Sequence, residues 1–258
     1  MNHTASTATR SSPCANGSAA RRWLAPLAWL LLLTYACWGM PWLEPLFRLV
    51  EPDSRDVIYA RADFFLLLGR HMLVVGVAAL LAIGIGVAAA IAVTRPAGRD
   101  FLPMVSQLAS MGQTFPPVAV LALAVPVLGF GTLPVIVALL LYGLLPIVRN
   151  TLAGLEGIDG GVAEAARGMG MTGGQRLLRV ELPLAAPIIL AGIRTSVTIN
   201  IATAAIGSTV GASNLGDPII SGIVNGNIAY VLQGALLIGL LALSVDSLFA
   251  RLQPASPQ

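Results

Sequence analysis

Residues able to perform chemistry are few in this sequence. It holds two histidines, His3 and His71, and two cysteines, Cys14 and Cys37. Neither histidine sits with a nucleophile or a set of metal donors, and two cysteines build neither a disulfide framework nor a zinc site. No catalytic residue, metal or cofactor is expected. All 15 basic residues are Arg. Without lysine, the Gly-x-x-x-x-Gly-Lys-Ser/Thr loop that cradles nucleotide phosphates cannot exist. What remains is of two kinds. Polar side chains stand in apolar surroundings, among them Gln113, Thr114, Thr198, Asn200, Thr203, Ser208 and Thr209. They could line a pore or bond between helices. With Pro116, the set Gln113, Thr114, Asn200 and Thr203 forms a candidate translocation path. The second kind is a glycine-rich polar loop from Arg149 to Pro183.

The composition says what must position these groups. Of 258 residues, 56% are hydrophobic and 10% charged, against about 25% charged in a soluble domain. Such a chain needs lipid as its solvent, and soluble, disordered and fibrous classes are excluded. A net charge of +3 is too small to argue for nucleic acid. About 20 apolar helical residues cross a bilayer core of about 30 Å. Charge-free runs at Leu24–Leu43 and Met72–Thr94 fit that length. The run Phe101–Val148 is too long for one crossing, and Gly129-Phe130-Gly131-Thr132-Leu133-Pro134 breaks it with turn chemistry. It reads as two spans, near 103–128 and 133–149. A fifth span runs over Leu184–Val210 and a sixth over Ile228–Ala250. Pro116, Pro117, Pro126 and Pro146 leave backbone carbonyls unpaired within or near these spans, either for bending or as static kinks. No strand alternation competes. The fold class is an all-α polytopic membrane protein with about six transmembrane helices.

Arginine placement orients the spans. With the N-terminus in the cytoplasm, Arg10, Arg21, Arg22, Arg95, Arg99, Arg149, Arg167, Arg176, Arg179 and Arg251 fall inside. Arg48, Arg55, Arg61 and Arg70 fall outside, and Arg194 lies within a span. Both termini are then cytoplasmic. Asp246 is an intramembrane carboxylate that needs a partner. Arg194 is a candidate, with snorkelling to the interface the alternative. Asp217, in the external loop 211–227, could attract a cation or cap a turn. Residues 1–20 read as a disordered cytoplasmic tail, and 21–63 as a helix followed by an external linker. Arg21-Arg22 before an apolar run has the look of a cleaved signal. The run is longer than a signal core, and Tyr35 is bulky before Cys37, so a retained anchor helix is expected. Residues 64–252 form the transmembrane domain and 253–258 a C-terminal tail.

The loop Arg149–Pro183 is long for a connection between spans, and long loops carry function. Gly160-Gly161 precede a strong helix former, Val162-Ala163-Glu164-Ala165-Ala166-Arg167, which Gly168 and Gly170 end. A second short helix is expected from Gly174 to Val180, stopping before Leu182-Pro183. Small residues at Ala165, Ala166 and Gly170 would admit another backbone, and Glu164 suits a helix start.

The run Glu164-Ala165-Ala166, then Gly170, Val180 and Leu182-Pro183, resembles the signature loop of bacterial ABC importer permeases. There Val180 stands in place of Ile, and Met171 where many members have Ala. Gln113-Thr114-Phe115-Pro116, Leu145-Pro146-Ile147-Val148-Arg149-Asn150-Thr151, Glu181-Leu182-Pro183-Leu184 and Leu215-Gly216-Asp217 resemble the osmoprotectant branch. That branch imports glycine betaine, choline, carnitine or proline. The likeness covers about residues 64–252, so the chain reads as a five-span permease core plus an extra N-terminal span.

Several expectations follow from this resemblance. The chain would be the pore-forming half of an ATP-driven importer in the bacterial inner membrane, working by alternating access. Its partners would be cytoplasmic ATP-binding subunits, a second permease chain and a periplasmic or surface-tethered binding protein. Glu164, Ala165, Ala166, Gly170, Leu182 and Pro183 would form the ATPase-coupling loop. The chain is only 6% aromatic and shows no cage for quaternary ammonium in its spans, so selection would fall to the binding protein. Two alternatives stand. One is a permease of the same superfamily for methionine or a sulfonate. The other is a secondary transporter, which would need an inverted repeat that the sequence lacks.

Overall fold

The structure is a computed structural model and describes residues 18–252. The expected tails over 1–17 and 253–258 lie outside the described residues. Helix α1 (Ser18–Gly39) passes through a 3-10 turn (Met40–Leu43) into α2 (Glu44–Val50). The long helices are α3 (Phe64–Thr94), α6 (Thr132–Glu156), α9 (Leu182–Thr203) and α11 (Ile228–Leu252). Between them lie α4 (Leu102–Thr114), α5 (Pro117–Leu128), α7 (Gly160–Gly168), α8 (Gly173–Arg176) and α10 (Asp217–Asn225). Five helical stretches are long and apolar enough to cross a membrane, or six if the bent pair α4–α5 counts as one. Helix α6 stands at the centre, packed by α3, α9 and α4, while α1 lies against α11. Outward leucines such as Leu31, Leu80 and Leu123 remain exposed, as side chains facing lipid must.

Three elements differ from the sequence expectation. The stretch 103–128 is not one straight helix: α4 and α5 meet at 97°. Pro116 and Pro117 make the corner. Proline drives the residue before it out of the helical region, and Phe115 and Pro116 are both extended, with ψ of 137° and 139°. Pro117 then begins α5, where its missing N–H costs nothing. Second, no stop precedes Leu182-Pro183. A π-turn over Leu177–Glu181 bonds the Leu182 N–H to the Leu177 carbonyl and carries α8 straight into α9. The wider ring shifts the bonding pattern where Pro183 has no N–H to give. Third, the loop 211–227 contains α10, bounded by left-handed Gly211 and Gly226 at φ of 81° and 67°. Helix ends also overrun the charge-free runs. Asp63 caps α3 by accepting from the Leu66 N–H at 3.0 Å, so α3 begins before Arg70, and α6 runs past Arg149 to Glu156.

Segment 51–63 is a packed strap rather than a free linker. The buried Gln233 of α11 accepts from the Tyr59 N–H at 3.0 Å and donates to the Val57 carbonyl at 2.5 Å. Asn227 donates to the Asp56 carbonyl at 2.9 Å, and the Ile228 N–H donates to Glu51 at 3.0 Å. The Tyr59 and Tyr230 rings meet edge to face at 5.5 Å.

Candidate functional site

The loop joining α6 to α9 projects from one end of the bundle, opposite the strap. Its helices are made by local caps. Asp159 accepts from the Gly161 N–H at 2.7 Å to start α7. Thr172 and Gln175 form a reciprocal capping box that starts α8. Between them Gly170 takes φ of +78°. A Cβ added there would meet nothing within 4 Å, so glycine answers to the turn's backbone and not to crowding within the chain.

Of the expected coupling residues, Glu164, Ala165 and Gly170 are exposed, whereas Ala166 is buried. Leu182 is half-buried and Pro183 exposed at the start of α9. Val162 and Met169 are also exposed, Met169 at 70%. With Ala165 they share the i, i+3, i+7 spacing of one helix face. Sequence reasoning missed these two, although that spacing was there to be read. The result is a short helix held away from the bundle, offering an apolar ridge beside a carboxylate.

At the loop's base lies an ion cluster that the sequence did not reveal. Glu181 accepts from Arg176 Nε at 2.7 Å and pairs with Arg95 Nη2 at 2.7 Å. A cavity of about 540 Å³ opens beside it, bordered by Arg99, Glu156 and Ala163 of α7. Farther along, Arg194 and Asp246 pair in a fork at 2.6 and 2.7 Å, so the candidate pairing holds over snorkelling.

The candidate path residues fall into two groups on either side of α6. Pro146 lies inside α6 and cannot bond the Tyr142 carbonyl one turn back. Gln113 of α4 fills that vacancy, donating to the Tyr142 carbonyl at 2.8 Å. The Tyr142 hydroxyl in turn donates to the Phe115 carbonyl. The broken corner is thus tied to α6 at its proline. Thr114 bonds back to the Met111 carbonyl, and Pro116 is exposed at the corner. On α9, Thr203 bonds back to the Ile199 carbonyl. Asn200 is fully buried, and neither end of its amide has a hydrogen-bond partner among the described residues. It faces Gly143, where an added Cβ would sit 2.7 Å from Ser196 Oγ and 3.1 Å from the Asn200 amide nitrogen.

At the strap end, Asp217 caps a turn: it accepts from Ser213 Oγ at 2.7 Å and the Asn214 N–H at 3.3 Å. Burial, then the nearby Asp217 carboxylate, push the Tyr59 phenol above its ordinary pKa. Tyr59, Phe64 and Tyr230 form an aromatic group here, with Phe64 and Tyr230 in the first turns of α3 and α11. His71, unassigned by sequence, is buried in α3 and donates from Nε2 to the Ile201 carbonyl at 2.9 Å, a bond between helices. Among the described residues no group of three or more His, Cys, Asp or Glu could hold a metal ion.

A bundle of lipid-facing helices, broken at a proline corner and carrying a capped helical knob at one end, defines a transport subunit of a polytopic membrane complex. The model of the family "binding-protein-dependent transport system inner membrane component" matches residues 82–256, and the chain belongs to that family. It is the permease subunit of an ABC importer. The osmoprotectant import permease protein OsmY of Salmonella typhimurium is 41% identical over 222 residues, covering 86% of this chain and 89% of that one. That match is longer than the stretch from Phe64 onward, so the likeness extends into the N-terminal region that the motifs alone left out. The glycine betaine/carnitine/choline transport system permease protein OpuCB of Bacillus subtilis is 38% identical over 182 residues, covering 70% and 83%. Among solved structures, an inward-facing form of the MetNI methionine ABC transporter superposes with a TM-score of 0.66 at 23% identity, covering 76% of this chain and 96% of that one. At that identity it supports the fold alone.

Proposed function

We propose that this permease carries quaternary-ammonium osmoprotectants, glycine betaine or choline among them, across the bacterial inner membrane. Both termini and the α7 loop lie in the cytoplasm in this reading. The solute class is supported by the relatives at about 40% identity whose names carry those solutes. The observation that carries the mechanism is α7, held out from the bundle with Glu164, Ala165 and Met169 exposed. A cytoplasmic ATP-binding subunit grips that knob. Closure of an ATPase pair pulls the knobs of two permease chains, and the bundle passes between inward- and outward-facing states. A separate binding protein selects and delivers the solute.

Solute passes along α4 and α9, with Gln113, Thr114, Pro116, Asn200 and Thr203 on its path. Gln113 serves that path by holding the corner to α6. Asn200 serves it through an amide left unpaired in this state. Unpaired amides are costly in lipid, and Asn200 regains bonds with solute, water or a moved helix.

The test is uptake by the complete system, with its own ATPase and binding protein, in cells lacking other betaine transporters. Labelled glycine betaine and choline are compared with methionine and a sulfonate. ATP-dependent betaine or choline uptake that is lost without this chain is expected. Transport of only methionine or the sulfonate would overturn the solute assignment and leave the permease class standing.

A further inference from the structure

We propose that Glu181 is a positioning residue that passes movement of the α7–α8 loop to α3 and thence to α4, its carboxylate being the shared anion of a clamp, Arg95–Glu181–Arg176. The three side chains come from three segments. Arg95 follows the last residue of α3, in the turn that leads to α4; Arg176 ends α8; Glu181 ends the π-turn before α9. Each carboxylate oxygen has its own guanidinium at 2.7 Å. The Glu181 side chain is 11% exposed, against 27% and 19% for Arg95 and Arg176. An acceptor this enclosed is screened less than a surface pair and holds its geometry.

Two further features point the same way. The π-turn adds a residue, which shifts by about 100° the helix face on which preceding residues fall. It lies next to the clamp and nowhere else among the described residues. Such turns are uncommon and gather at functional sites. Second, the cavity beside the clamp reaches Ala163, so space lies between α7 and the α3–α4 turn. Across that space, the Arg95–Glu181 bond is the only ion pair joining the α3 end to the loop and its π-turn among the described residues. Removing the carboxylate leaves two guanidiniums without the anion that joins them, and the loop then moves without carrying α3.

This inference rests on the reading of α7 as the ATPase contact. The experiment uses the full complex in liposomes, with ATPase and binding protein. It measures stimulation of ATP hydrolysis by solute-loaded binding protein, and solute imported per ATP. If the unaltered complex imports nothing with ATP, the proposed function fails, and the clamp with it. If it imports, Glu181→Gln is expected to lower both ratios about fivefold or more, the low end of ordinary coupling between sites. Arg95→Gln should match it, the double variant should be no worse than either, and Glu181→Asp should retain part of the coupling. A purely structural role would reduce the yield or thermal stability of the complex while both ratios stay at their unaltered values, and that result overturns the clamp. So does full coupling in Glu181→Gln.

Discussion

The two ends of the bundle are built by different chemistry. At the strap end, 51–63 is fixed to α11 through a buried amide: Gln233 satisfies one backbone donor and one backbone acceptor at once. At the loop end, α7 and α8 are made by caps between residues two or three apart, and their one ionic tie to the bundle among the described residues is the enclosed Glu181 cluster. Buried polar bonds are all-or-none, because an orphaned partner carries the full cost of desolvation. Local caps are individually weak, worth about 1 kcal/mol each, and can be remade in a new arrangement. One end is therefore suited to hold its shape and the other to be moved by a partner.

Substitutions can break or sharpen that contrast. The largest effect is expected for Gln233→Leu, which strands the Tyr59 N–H and the Val57 carbonyl in the interior, at about 1–3 kcal/mol each. Thermal unfolding of the purified protein should show a clear loss, while the surviving folded protein still binds the ATPase. Next is Gly170→Leu, which forces a branched side chain into a left-handed turn at a cost of about 1–2 kcal/mol. The cost falls on the knob alone, so uptake and ATPase association should fail while membrane insertion and the unfolding midpoint hardly change. Survival of both activities would show that α7 is not the docking element.

Thr172→Ala removes half of a capping box, worth about 1 kcal/mol. Hydrogen exchange should quicken over α8 and leave α11 as it was. Smallest is Asp246→Asn at the Arg194 pair. Both side chains are about a third exposed, at 31% and 37%, and where that exposure is to water such a pair contributes about 0–1 kcal/mol. A stability loss well above that would place this pair with the buried polar bonds of the strap end.

What the sequence disclosed follows the range of the interactions involved. Spans were legible because lipid demands a charge-free run of fixed length. Helix α7 was legible because Gly160, Gly168 and Gly170 punctuate a helix-forming stretch, whereas the continuation of α8 through the π-turn into α9 was not. The Arg194–Asp246 pair was legible only as a candidate: an intramembrane carboxylate needs a partner, and snorkelling to the interface answered the same need. The 97° corner was underestimated as a kink. Pro116-Pro117 says that a helix breaks, but the angle depends on how Gln113 and Tyr142 tie the corner to α6. The Glu181 clamp was invisible because Arg95 and Glu181 lie 86 positions apart and meet only once α3 and α9 have packed on α6. The strap was invisible for the same reason: Gln233 reads as a polar residue in a span until 51–63 folds onto it.

The central claim is that the α7 end faces the ATPase and the strap end faces outward. Single cysteines at Ala165 and at Val224, an exposed residue of α10, test it directly in a background with Cys14 and Cys37 replaced by Ser. Intact cells are treated with a membrane-impermeant thiol reagent, and membranes containing the ATPase subunit with a short crosslinker. The account predicts that Val224→Cys is labelled from outside and does not crosslink, while Ala165→Cys resists labelling and crosslinks to the ATPase. Labelling of Ala165→Cys from outside, or crosslinking of Val224→Cys to the ATPase, would contradict it.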